Sequence, residues 1–192
     1  MSANARHLRS GSAALALTLS LTTAARAAEP VDVELVLAVD VSLSMSAEEL
    51  EIQRHGYAAA LTHESVLRAI AGGAYGKIAV TYVEWAGPHW QRVVVPWTVI
   101  AGRADAERVV RRLDALPPDS ARRTSISGAL SFGADLFAES SFQGTRRVID
   151  ISGDGPNNQG APVAGVRDEV VGEGIVINGL PIILKPNQRS GF

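Results

Sequence analysis

The chain of 192 residues predicts an α/β fold: a doubly wound, mostly parallel sheet with one antiparallel edge strand and helices on both faces. Three observations carry this. A nearly continuous apolar, β-branched run near the start reads as a strand buried on both faces, as in the middle of a parallel sheet. Strand-like and helix-like segments then alternate along the chain. One adjacent pair of strands is joined by a turn-like link and reads as a hairpin, which supplies the antiparallel edge. The length suits one compact domain, and 46% apolar with 20% charged residues is a globular composition.

The first strand is Val31 to Val39 (VDVELVLAV), ended by Asp40. A polar loop follows, and Ser46-Ala47-Glu48-Glu49 has the form of a capping box, Ser46 capping while Glu49 reaches back. Leu50, Tyr57, Leu61, Leu67 and Ile70 make a helical stripe that runs to Gly72-Gly73. Lys77 to Trp85 and Gln91 to Val99 are the hairpin strands, linked by Ala86-Gly87-Pro88-His89. Val109, Val110, Leu113 and Leu116 predict a helix over 104–116 that stops at Pro117-Pro118. Ile126, Leu130 and Phe137 predict another over 125–138. Arg146 to Ser152 is a fourth strand, broken by Asp154-Gly155-Pro156, and a weaker helix at 163–171 leads to a fifth strand over 174–184. The polar stretch 185–192 follows directly. A sheet of this class usually adds a further helix and strand, so the sequence reads as one truncated at its C-terminus.

Residues 1–27 read as a cleavable signal peptide. Arg6 and Arg9 form a positive start, 11–25 is apolar and small, and Ala25-Arg26-Ala27 offers small residues two apart. The domain expected is 28–192, in the periplasm or outside the cell. The apolar run is too short and too rich in Ala, Ser and Thr for a stable spanning helix, and no later stretch is long enough for one. Cysteine is absent, so no disulfide or lipid-modified Cys is available. Of the 18 basic residues the leader takes Arg6, Arg9 and Arg26, leaving 15 against 20 acidic ones, a net charge of −5. Without a Lys/Arg run this balance excludes nucleic acid as a partner.

The chemistry-bearing signal is Asp40-Val41-Ser42-Leu43-Ser44, directly after the first strand. Ligands of open α/β sheets sit outside the carboxyl ends of the strands. The three polar residues alternate with apolar ones, so they can converge on one side of the loop. A carboxylate with two hydroxyls is a hard-oxygen set suited to Mg²⁺. Alone, the motif fits a hydrogen-bonded turn before a capped helix equally well. Two further elements bear on that choice: Thr124 at the opening of one helix, and Asp154 at the end of the fourth strand. With strands one and four as neighbours at the switch point, Asp40, Ser42, Ser44, Thr124 and Asp154 meet above one crevice.

Asp-x-Ser-x-Ser, then a Thr five residues before Ala129-Leu130, then a hydrophobic strand ending in Asp154-Gly155, resembles the metal-ion-dependent adhesion site (MIDAS) of von Willebrand factor A (vWA) domains. The resemblance covers 31–184. More narrowly, 31–44 with Glu84-Trp85-Ala86-Gly87 and 95–100 (VPWTVI) is similar to an uncharacterised family of secreted proteobacterial proteins, a domain of unknown function. The vWA resemblance implies that Ser42 and Ser44 give their hydroxyls to a divalent ion, Mg²⁺ with Mn²⁺ or Ca²⁺ as alternatives. It implies that Thr124 is a direct or near ligand, and that Asp40 and Asp154 act mostly through bound waters. A further coordination position is then left for an acidic residue of a protein partner, with no catalysis. The chain departs from the pattern at Ser152-Gly153-Asp154-Gly155, where Thr-Asp-Gly is commoner, and in the missing last helix.

One enzyme reading stands beside it. Gly153 to Asn158 resembles a motif of haloacid-dehalogenase-type phosphatases, with Asp40 as nucleophile, but Ser42 replaces their second Asp. Lys77 and Lys185, the lysines after the leader, do not sit where a phosphate-binding Lys is expected. His55, His63 and His89 lack zinc-ligand spacing, and His55 and His63 read as part of a solvated helix face. Trp85, Trp90 and Trp97 read as packing for the sheet edge.

Overall fold

The computed structural model describes residues 27–182. Residues 1–26 of the expected signal peptide, residues 183–184 of the expected fifth strand and the polar stretch 185–192 lie outside the described residues. Five strands form one sheet in the order β3-β2-β1-β4-β5. β1 (Glu29–Asp40) is central, parallel to β2 (Ile78–Trp85) on one side and to β4 (Phe142–Gly153) on the other. β3 (Gln91–Ile100) is the antiparallel edge, and β5 (Ile175–Pro181) runs parallel to β4. The expected architecture is therefore present, with β1 and β4 adjacent at the point where the strand order reverses.

Alternation along β1 divides the core. Leu37 and Val39 face one layer with α1 (Ala47–Thr62), α2 (Glu64–Ala71) and α3 (Arg103–Asp114), through Leu61, Leu67, Ile70, Val109 and Leu113. Val36 and Ala38 face the other layer with α4 (Ile126–Ala138) and α5 (Val163–Gly172), through Leu130, Leu136, Phe137 and Val170. Burying both faces of β1 explains its near-continuous apolar sequence. Two acidic residues interrupt that run: Asp32, which accepts the Tyr75 N–H at 3.0 Å and the Lys77 N–H at 3.2 Å, and Glu34, which is buried with Oε2 accepting the Gly144 N–H at 2.8 Å.

Three expectations change. The stripe from Leu50 to Ile70 is two helices, α1 and α2, because His63 takes an extended conformation (ψ 137°) and caps α2. Its Nδ1 accepts the Ser65 N–H at 3.2 Å, so His63 is a cap and not part of a helix face. The capping box at Ser46 and Glu49 forms as read. β4 begins at Phe142, four residues before the apolar segment, because its first turns extend the parallel ladder with Glu29 to Val31. The tryptophans pack as expected but not together. Trp85 and Trp97 join the α4 layer, while Trp90 packs with Val41, Met45 and Leu50.

Candidate metal centre

Asp40 is the last residue of β1 and is fully buried. The Ser42 N–H donates to its Oδ1 at 2.8 Å, closing a turn immediately beyond the strand. Val41 and Met45 bury against Leu50, which orients the loop, whereas Leu43 stands 58% exposed, so the alternation is broken at that residue. The Ser42 and Ser44 hydroxyls lie 2.8 Å apart, and Ser44 Oγ donates to Asp154 Oδ1 at 2.7 Å. Four of the five residues singled out from sequence are thus one hydrogen-bonded chain across the carboxyl ends of β1 and β4.

Asp154 follows β4 directly. Its approach to Asp40 depends on Gly153, where an added Cβ would sit 2.8 Å from Asp40 Oδ2. Ser152 is also employed: its hydroxyl donates to Gln53 Oε1 at 2.9 Å, and Gln53 Nε2 donates to the Asp40 carbonyl at 2.9 Å. The Ser-Gly preceding Asp154 therefore has a local physical reason. Gln53 was not singled out from sequence. Its signal was a polar residue at helical spacing between Leu50 and Tyr57, on the buried face of α1.

Thr124 is not bonded into this chain; its backbone bonds Asn158 instead. Thr124 is buried one residue before Ser125, and Ser125 is the cap of α4, accepting the Gly128 N–H at 3.1 Å. Backbone bonds hold the segment: Leu43 N–H to the Ala121 carbonyl at 2.9 Å, Ala121 N–H to the Val41 carbonyl at 3.1 Å, and Ser125 N–H to the Ala86 carbonyl at 2.7 Å. Asn158 closes the far side. Its Oδ1 accepts the Thr124 N–H at 3.0 Å, and its own N–H donates to the Thr124 carbonyl at 2.9 Å. Neighbouring Asn157 Oδ1 accepts the Ser127 N–H at 3.2 Å. Gly153 to Asn158 thus ties the start of α4 to the end of β4. Arg123, just before Thr124, has φ 76°, the sole positive φ at a non-glycine among the described residues.

Burial raises the Asp40 carboxyl to about 6, with the nearby Asp154 charge adding to the rise and hydrogen bonds from Ser42 opposing it. Asp40 Oδ2 is buried and has no hydrogen-bond partner. An unpaired buried carboxylate oxygen is costly, and it is the kind of atom a cation relieves. Two carboxylates and three hydroxyls are hard oxygen donors, so the residues fit a divalent ion of the Mg²⁺ type. Among the described residues no group of three or more His, Cys, Asp or Glu is placed to hold an ion, so this hydroxyl-rich set stands apart from carboxylate cages and zinc sites. Lys77 ion-pairs with Glu29, at the end of β1 opposite Asp40.

No curated protein sequence matches the chain. Solved structures resemble it in fold. An aerotolerance-related membrane protein from Bacteroides fragilis, studied with multiple mutations to serines, superposes with a TM-score of 0.54 at 24% identity, over 83% of this chain and 75% of that one. The pilus adhesin SpaC from Lactobacillus rhamnosus GG, in an open conformation, gives a TM-score of 0.60 at 15% identity, over 83% of this chain and 25% of that one. Proximal thread matrix protein 1 from the mussel byssus, with a zinc-occupied MIDAS motif, gives 0.55 at 14% identity, over 79% of this chain and 38% of that one. These likenesses agree with the vWA-like fold described above. The family model described as "Protein of unknown function (DUF1194)" matches residues 30–191, most of the chain, and the chain belongs to that family.

Proposed function

We propose that this chain is an exported binding module that uses a divalent ion, held at Asp40, Ser42, Ser44, Thr124 and Asp154, to grip an acidic residue of a protein partner. The observation that carries the reading is the buried, unpartnered Asp40 Oδ2, which lies beside a chain of hydroxyls and a second carboxylate. An ion there would supply the positive charge that a partner carboxylate needs. Asp40 and Asp154 would act mostly through bound waters and so offset the cation's charge only at a distance, and the serine and threonine hydroxyls would contact it without adding charge. A cation left so lightly compensated still attracts an incoming Asp or Glu side chain. Export fits the leader-like 1–27 segment, and among the described residues no helix is long and apolar enough to cross a membrane. Mg²⁺ is the expected ion, with Mn²⁺ and Ca²⁺ as substitutes. The zinc-occupied MIDAS motif of the mussel protein supports a divalent ion at such a site.

Calorimetric titration of the chain with Mg²⁺ and Mn²⁺, beside Asp40→Ala and Ser42→Ala, tests this. The parent should bind one equivalent, and Asp40→Ala should lose at least about a hundredfold in affinity. A folded parent that binds neither ion would remove the reading.

A further inference from the structure

The connection from α3 to α4, residues 115–125, carries Thr124 and has no regular secondary structure. Long irregular connections need tertiary partners to hold one shape. Its partner is a buried charged network at the carboxyl end of β2. Glu84, 1% exposed, lies between two guanidinium groups: Arg54 of α1 bonds its Oε1, and Arg92 of β3 bonds its Oε2 at 2.6 Å. Both arginines reach onward to the same segment. Arg54 donates to the Leu113 carbonyl at 2.7 Å and to the Leu116 carbonyl, at the end of α3. Arg92 donates to the Pro117 carbonyl at 3.4 Å and pairs with Asp119 at 3.6 Å. Two residues after Asp119, Ala121 bridges to the Ser42 loop, and then comes Arg123 with its positive φ.

Stability alone does not account for this arrangement. Apolar residues in place of a buried Arg–Glu pair such as Arg54–Glu84 are often neutral or stabilising, so the distinctive contribution of the network is fixed geometry. A non-glycine residue in the left-handed region persists only where its surroundings impose it. The strain at Arg123 falls between the network and Thr124.

We propose that Glu84, with Arg54 and Arg92, is a positioning network that sets the affinity of the candidate ion site by holding residues 115–125, and with them Thr124, against the Asp40–Ser44 loop. None of the three is among the residues that would hold the ion. They act through the connection, and this inference rests on the ion-binding reading above.

The test is Mn²⁺ calorimetry, with amide hydrogen exchange, on the full chain as parent, Glu84→Gln, Thr124→Ala and the double variant. Glu84→Gln should weaken Mn²⁺ binding roughly tenfold to a hundredfold, as loss of supporting partners does at metal sites. In the Thr124→Ala background the same change should cost less than about threefold, because the two act through one element. Exchange over 115–125 should accelerate in metal-free Glu84→Gln while the amides of β1 and β4 keep their protection. If Glu84→Gln fails to fold, Arg92→Lys at its half-exposed position keeps the charge, loses the fork, and should show the same pattern more weakly. Unchanged affinity in a folded variant, an additive loss in the double variant, or unchanged exchange over 115–125 overturns the proposal. A parent that binds no Mn²⁺ removes the ion-binding reading, and with it the affinity claim. The exchange result then still decides whether the network holds the connection.

Discussion

The two sides of the candidate site are built differently. On one side, Asp40, Ser42, Ser44 and Asp154 stand at or directly after the ends of adjacent parallel strands and are already linked by side-chain hydrogen bonds. On the other, Thr124 sits in an irregular connection that is contacted by Asn158, by the Ser42 loop through Ala121, and by a charged network at the end of β2. The strand-borne side inherits its geometry from the sheet ladder, which is regular and deeply buried. The Thr124 side depends on a few long-range contacts and carries the strained residue. Mobility is expected to concentrate in the second side, since local opening follows few apolar contacts and irregular backbone.

That contrast can be broken first at Gln53, the pin beneath the strand-borne side. Gln53→Leu keeps the volume and leaves the Asp40 carbonyl and the Ser152 hydroxyl without their partner. Denaturant unfolding should show a loss of about 1–3 kcal/mol. A loss below about half a kcal/mol would mean that the sheet holds this side without α1. Asn158→Ala acts on the other side, removing the acceptor for the Thr124 N–H at an exposed position. It should cost only about 1 kcal/mol, yet speed amide exchange at Thr124 and leave the β1 and β4 amides unchanged. Equal acceleration on both sides would show them to be one unit. The smallest effect is expected at Arg123→Gly. Relief of about 1–2 kcal/mol of left-handed strain is offset by the extra chain entropy of glycine, leaving a gain of about half a kcal/mol in thermal unfolding. A loss instead would show that the arginine side chain contributes more than its backbone costs.

Much of the fold was legible because its signals are local. The β-branched run before Asp40, the capping box at Ser46, the Pro117-Pro118 stop and the hairpin signal each report on a few neighbouring residues. The residue types at the site were legible for the same reason, since Asp-x-Ser-x-Ser and the Asp-Gly after β4 are short and sit where strands end. What escaped was long-range or depended on one conformational choice. His63 divides a helical stripe whose spacing continues on both sides, so periodicity alone gave no reason to break it. Leu43 looked like part of an apolar alternation and is exposed, because the chain turns back at Asp40. Gln53 and Arg54 stood in plain view on the apolar face of α1. Their partners lie at Ser152 and Glu84, remote in sequence, and spacing cannot name them.

By itself the sequence determined the order and kind of elements, the burial of β1 on both faces, and the hard-oxygen character of the groups after the strands, because each follows from side-chain chemistry read at short range. Only the tertiary structure decided that Asp40, Ser42, Ser44 and Asp154 join in one hydrogen-bonded chain, that Asp40 keeps one buried oxygen without a partner, and that the charged network around Glu84 reaches the connection that carries Thr124. Those features arise where separate segments meet, and strand register and helix packing set their geometry.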